Sequence, residues 1–219
     1  MSFFANKEED KNKEEATDAE KEMFSLLLGG AGEEAKPKSR IIGVYGDIDE
    51  ETAAELVYTI LSIHEEVLNT PPAEEGKQTI EHEPVKLIVS THGGSAHEMF
   101  SIYDTFRMVQ KDFEIHTVGL GKVMSAGIVL LAAGTKGKRK VGKNCRLMIH
   151  PVASASVGDL KDIENETKEI RILQKMYIQA LVDNSNLTES KVKRMFRKKV
   201  NTYISAEEAI KFGIADEII

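Results

Sequence analysis

Val85–Gln110 reads VKLIVSTHGGSAHEMFSIYDTFRMVQ, and this stretch decides the fold. Val85–Ser90 is an apolar, β-branched run of the kind that forms a buried strand. Thr91-His92-Gly93-Gly94-Ser95 follows as a tight glycine turn. Beyond it Met99, Ile102, Tyr103, Phe106 and Val109 share one face of a helix running from about Ala96 to Gln110. Strand, turn and helix in that order make half of a parallel α/β unit.

The flanking segments repeat the alternation. Upstream, Ile41–Tyr45 (IIGVY) predicts a strand bounded by Gly46-Asp47. Asp49 stands as cap for a helix carrying Ala53, Leu56, Val57, Ile60 and Leu61 at helical spacing. Asn69–Pro84, with its Pro-Pro pair and acids, predicts a surface loop. Downstream, Glu114–Val118 predicts a third strand, Gly119–Met124 a loop, Ser125 to about Gly134 a helix of small residues, and Lys140–Ile149 more strand. The longest helical pattern, Asp159 to about Asp183, carries Leu160, Ile163, Ile170, Leu173, Tyr177, Ala180 and Leu181 on a narrow stripe, as a helix serving a subunit contact does. Thr188–Lys199 predicts a further helix, Tyr203-Ile204 a short strand and Ser205–Phe212 a serine-capped helix. The fold class expected is α/β with a parallel core.

The chain of 219 residues suits one sizeable domain, taken as residues 39–219. Ahead of it, 1–38 predicts an acidic, flexible tail: residues 1–36 hold ten acids against five bases. Its apolar island Met23–Leu28 (MFSLLL) either folds back on the body or docks a partner. The formal net charge of −7 and the absence of tryptophan argue against nucleic acid as the main ligand. No run approaches the roughly 18 apolar residues of a membrane span, and the acidic N-terminus is unlike a secretory signal. One cysteine, Cys145, suits a reducing compartment, so a cytoplasmic protein is expected.

Two polar residues stand where hydrolytic chemistry needs them. Ser125 sits where a loop becomes the apolar helix SAGIVLLAAG. The N–H groups at a helix start have no internal partner and favour developing negative charge. The glycine turn after the second strand brings a further N–H, so Gly94 and Ala126 form a candidate oxyanion pair. His150 ends the run RLMIH at a strand end, and an imidazole is the natural base for a serine hydroxyl. Each residue also has a plain structural reading: Ser125 as an N-cap, His150 as a strand-end histidine. Five other histidines (His64, His82, His92, His97 and His116) compete. The basic run Lys191–Lys199 is a solvated face or, less simply, a nucleic-acid patch. Gly134–Lys138 lacks the spacing of a phosphate loop.

Several blocks in register go further. Arg40–Asp49 (RIIGVYGDID), Leu87–Ser95 (LIVSTHGGS), Ser101–Phe106 (SIYDTF), Met124–Arg139 (MSAGIVLLAAGTKGKR), Leu147–Pro151 (LMIHP) and Ile204–Ile218 (ISAEEAIKFGIADEI) resemble, in order, the proteolytic subunit of the Clp protease. The resemblance implies a crotonase-like superhelix of repeated ββα units with a protruding long handle helix. It implies a serine endopeptidase acting on unfolded polypeptides, with Ser125 as nucleophile, His150 as general base and acid, and Gly94 and Ala126 as the oxyanion hole. It also implies stacked rings of seven subunits (a tetradecamer) and an AAA+ unfoldase or a homologous subunit as partner. No metal or organic cofactor and no membrane are implied.

The family's third catalytic residue is an acid, and matching back from Tyr203-Ile204-Ser205 lands on Asn201. An Asn carbonyl accepts a proton from imidazole Nδ1 but carries no charge. Three readings stay open: a Ser-His-Asn triad, a weak or partner-activated enzyme, or another acid such as Asp183. Asp216 matches a structural residue of the family. The long approach to the serine, Thr91-His92 before Gly-Gly, the 69–84 insertion and the tail mark a divergent branch, with a viral origin one reading. Two rival functions are an inactive assembly or regulatory subunit and a crotonase-type acyl-CoA enzyme.

Overall fold

The structure, a computed structural model, describes residues 40–70, 82–197 and 201–219; the tail over 1–38 and most of the insertion lie outside them. Strand β1 (Ile41–Ile48) lies parallel to β2 (Val85–Gly94), with Ile42 opposite Leu87 and Val44 opposite Val89. Between them α1 (Glu50–Leu68) starts at Asp49, whose Oδ1 accepts the Thr52 N–H at 2.9 Å. It buries Ala53, Leu56, Ile60, Ile63 and Val67. Helix α2 (Ala96–Val109) buries Met99, Ile102, Phe106 and Val109, as its spacing predicts.

Strand β3 (Ile115–Met124) leads into α3 (Ala126–Ala132), and all seven residues of that helix are buried. A helix apolar on every side has no solvent face, and α3 packs against β2, β3 and α2 at the centre of the core. The chain continues through β4 (Arg139–Val141), β5 (Arg146–Ile149), α4 (Leu160–Asp183), α5 (Glu189–Arg197), β6 (Thr202–Ile204), α6 (Ala206–Lys211) and β7 (Glu217–Ile218). The sheet order is β1-β2-β3-β4-β7, with β5 branching from β3 and β6 pairing with β5. All pairings are parallel except β5–β6. The architecture is mixed α/β on a parallel sheet, as expected.

Three local expectations need correction. Thr91–Gly94 is not a turn but the end of β2, with Gly93 and Gly94 opposite Asp47 and Ile48 past an irregularity at Gly46. The buried Thr91 hydroxyl bridges that irregularity, donating to the Gly46 carbonyl at 2.5 Å and accepting the Gly93 N–H at 2.9 Å. The Gly119–Met124 stretch is strand rather than loop. Thr117–Gly119 of β3 pair with β4, while Lys122–Met124 pair with β5, so one strand serves two neighbours in succession. Correspondingly, the strand expected over Lys140–Ile149 is two strands. The turn between them is closed by the Cys145 N–H on the Gly142 carbonyl at 2.8 Å, and the Cys145 thiol is buried.

Arg139 locks the C-terminal part of the core. It is 4% exposed and forms a two-pronged pair with Asp216, Nη2 to Oδ1 at 2.6 Å and Nε to Oδ2 at 2.8 Å. Its Nη1 donates to the carbonyls of Ala132 and Asn184, tying the ends of α3 and α4 together. Burial works to raise the Asp216 pKa, but the hydrogen bonds and charge of Arg139, with the Gly137 N–H, hold it below the usual carboxylate range.

Helix α4 divides in two. Leu173, Tyr177, Ala180 and Leu181 of its stripe are buried, whereas Leu160 is 72% and Ile163 40% exposed on the described chain.

Candidate active site

A cavity of about 250 Å³ opens where β2, β3 and β5 end and α4 passes over them; Gly94, Ser125, Ala126 and His150 all line it. Met99, Val152, Ile170 and Leu173 give it apolar walls, and Glu166, Glu169 and Tyr177 of α4 complete it.

Ser125 joins β3 to α3 in a conformation rare for a side-chain-bearing residue, φ 52° and ψ −122°. Its φ is positive and its ψ lies outside the ordinary left-handed well, an arrangement that costs on the order of 1–3 kcal/mol. The surroundings impose it. Its N–H donates to the Met148 carbonyl of β5 at 2.8 Å, and its carbonyl accepts from the Ile128 N–H and the Tyr177 hydroxyl, both at 3.1 Å. Ser125 occupies the N-cap position of α3, yet its side chain makes no capping hydrogen bond. The hydroxyl is therefore not spent on the helix, which removes the plainest structural reading of this serine. A serine on a sharp strand-to-helix turn is the arrangement by which α/β hydrolases expose a nucleophile.

Gly93 makes this approach possible. At φ 100°, a Cβ added there would meet the Ser125 Cβ at 2.5 Å and the Met124 carbonyl at 2.9 Å. Gly94 is constrained from the other side, where a Cβ would meet the Ile48 carbonyl oxygen at 2.2 Å.

His150 follows β5 directly, half-buried, and the preceding Leu147, Met148 and Ile149 are buried. The segment leaving it is held to α4 by the Val152 N–H on Gln174 Oε1 at 2.9 Å. Asn201 does not line the cavity and is exposed. The antiparallel register pairs Ile149, the residue before His150, with Thr202, the residue after Asn201. Asp183, the alternative acid, lines a different cavity with Arg107 and Arg139 and accepts from Gln179 Nε2 at 2.6 Å. Asp216 is engaged by Arg139, as its structural reading requires.

Tyr177 is the site residue that sequence reasoning missed. It lay on the apolar stripe of the long helix, and nothing in that periodicity marks a hydroxyl aimed at the Ser125 carbonyl. Among the described residues no group of three or more His, Cys, Asp or Glu side chains could hold a metal ion, and no helix is long and apolar enough to cross a membrane. On the basic helix, Lys193 pairs with Glu189 at 2.5 Å and Lys191 lies over the Phe212 ring.

Comparison with known proteins matches residues 34–219 to the Clp protease family. The chain is 35% identical over 136 residues to ATP-dependent Clp protease proteolytic subunit 1 of Bifidobacterium longum, covering 62% of this chain and 57% of that protein. It is 30% identical over 182 residues to proteolytic subunit 3 of Frankia casuarinae, covering 83% and 78%. The Deinococcus radiodurans proteolytic subunit is 29% identical over 182 residues, covering 83% and 81%. The match spans under two thirds of the length of the Bifidobacterium subunit and of a Synechococcus subunit 3, at 57% and 66%. A serine whose side chain does not cap its helix, on a strained turn, a histidine lining the same cavity and a family match over residues 34–219 agree: the chain belongs to the Clp protease family of serine peptidases.

Proposed function

We propose that this chain hydrolyses peptide bonds of unfolded polypeptides through an acyl-enzyme on Ser125. The observation carrying this reading is the pairing of an uncommitted Ser125 hydroxyl with His150 on one cavity. The Ser125 hydroxyl oxygen adds to the scissile carbonyl carbon as His150 takes its proton. The resulting oxyanion meets the N–H of Ala126, the first residue of α3, and the N–H of Gly94. The Ser95 N–H is bonded to the Ile48 carbonyl at 2.8 Å, and strand alternation turns the Gly94 N–H the opposite way, off β1. His150 then protonates the departing amine, and water releases the acyl group by the same steps in reverse. The apolar walls suit an apolar side chain beside the cleaved bond.

Asn201 takes the place of the third residue, accepting from His150 Nδ1–H without adding charge. Its exposure and position off the cavity favour a second reading, a weak enzyme that a partner activates. The exposed Leu160 and Ile163 in the N-terminal half of α4 suit subunit contact, and stacked seven-membered rings served by an AAA+ unfoldase in the cytoplasm complete the proposal.

The test is a fluorophosphonate label on the purified chain, alongside cleavage of an unfolded casein. Label on the native protein, lost in Ser125→Ala and in His150→Ala, is expected. Equal labelling of native protein and Ser125→Ala would refute the assignment, and thermal stabilisation by an acyl-CoA would favour a crotonase-type enzyme instead.

A further inference from the structure

In a trans peptide the carbonyl oxygen and the amide hydrogen point in opposite directions from one rigid plane. The carbonyl of Ser125 and the N–H of Ala126 belong to the same plane. Whatever holds the first therefore aims the second, and the second is the proposed oxyanion donor.

The backbone around this peptide is unusual. With φ at 52°, the ordinary left-handed well lies at ψ of about +30 to +60°, whereas Ser125 sits at −122°. Rotating the Ser125–Ala126 peptide by about half a turn would carry Ser125 into that well, while turning φ of the helical Ala126 by the same half turn to a positive value. It would also turn the Ala126 N–H out of the cavity and point a carbonyl oxygen at the developing negative charge.

Two donors oppose the flip, the Ile128 N–H and the Tyr177 hydroxyl, each 3.1 Å from the Ser125 oxygen. The first lies within the same short helix and moves with it. The second comes from α4, 52 residues away in sequence. Tyr177 is itself fixed: it is 4% exposed, and its ring stacks on Phe196 of α5 with centroids 6.0 Å apart and planes 7° apart. Burial pushes its phenol far above the ordinary range, so it remains a donor at any working pH.

We infer that Tyr177 is a positioning residue that locks the Ser125–Ala126 peptide in the orientation aiming the Ala126 N–H at the oxyanion. The inference rests on the proposed peptidase reading only for its catalytic consequence. The peptide orientation is a separate matter that can be measured in an inactive protein. A donor on the carbonyl also polarises the amide, strengthening the hydrogen bond its N–H offers.

The experiment uses the full-length chain and Tyr177→Phe, which keeps the ring and its stack and removes only the hydroxyl. Three quantities are compared: kcat and KM on a fluorogenic peptide, affinity for a peptide boronate whose tetrahedral adduct occupies the oxyanion site, and amide hydrogen exchange at Ile128. The expected result is a fall in kcat of about tenfold, KM within twofold, a parallel loss of boronate affinity and faster exchange confined to Ile128. A rise in KM at constant kcat, unchanged kcat with unchanged exchange, or faster exchange along the whole of α3 and α4 would each overturn the inference. Should the native chain neither cleave nor label at Ser125, the peptidase reading fails by itself. Exchange at Ile128 then decides the peptide lock alone, and an unchanged rate in Tyr177→Phe overturns it.

Discussion

At the scale of single residues, the site depends on how closely two backbones approach. Gly93 and Ser125 leave no room for one added methyl group, since the nearest Cβ–Cβ distance would be 2.5 Å. Gly93→Ala therefore forces Ser125 or β2 to shift by a substantial fraction of an ångström. Displacements of that order cost about a hundredfold in rate, and overpacking costs about 1–3 kcal/mol in stability. We expect the fluorophosphonate labelling rate of Gly93→Ala to fall by about that factor while the chain still unfolds cooperatively. A variant labelling at the native rate would mean that the close approach is irrelevant to the reactivity of Ser125. Ser125, His150, Gly94 and Ala126, which line one cavity, were all picked out by the sequence as candidates because each sits at the end of a strand or start of a helix, where the motif blocks fall. Tyr177 was not. A stripe of apolar positions shows which face of a helix is buried, but not what a hydroxyl at its edge touches.

At the scale of elements, the helices followed their periodicity closely, whereas glycine misled. Gly93-Gly94 and Gly119–Gly121 look like turns in sequence because glycine is the usual residue of turns. In the fold these glycines instead allow strands to continue past an irregularity or a change of partner. The forking of β3 between β4 and β5 depends on pairings that no local pattern specifies. The Arg139–Asp216 pair is equally non-local, and it yields a stability prediction. Removing one partner of a buried pair leaves the other charge uncompensated. Because the Asp216 side chain is 21% exposed, Asp216→Asn should cost about 3 kcal/mol, the low end of the range for buried pairs. The pH dependence follows from the depressed pKa of Asp216. The unfolded chain takes up the proton first, so the pair's contribution is complete above the ordinary carboxylate pKa of about 3.9. It is lost as the pH falls through the lower folded value. Urea titrations at pH 7 and across the acid range should show that slope in the native chain and a flatter one in Asp216→Asn. Equal slopes would remove Asp216 as its source.

At the scale of the whole molecule, the outstanding feature is the N-terminal half of α4, most of which is exposed among the described residues. Leu160 and Ile163 are exposed there, while Glu166, Glu169 and Ile170 further along, with Leu173 and Tyr177, line the cavity. On the ring assembly proposed above, this half is the surface offered to a second copy. The double variant Leu160→Ser, Ile163→Asp should lower the mass of the native particle measured by native mass spectrometry. The midpoint of unfolding of its separated subunits should change by no more than about 0.5 kcal/mol equivalent. A particle of unaltered mass would show that these side chains hold no subunits together. The fork in the sheet has a consequence of another kind. The one thiol of the chain, Cys145, lies buried in the turn between the two branches, and burial pushes it up to about 11. At neutral pH it is shielded and protonated, so a thiol reagent in solution reacts only when those branches separate. The molecule thus carries its own clock for the opening of its sheet, readable without a label being engineered into it.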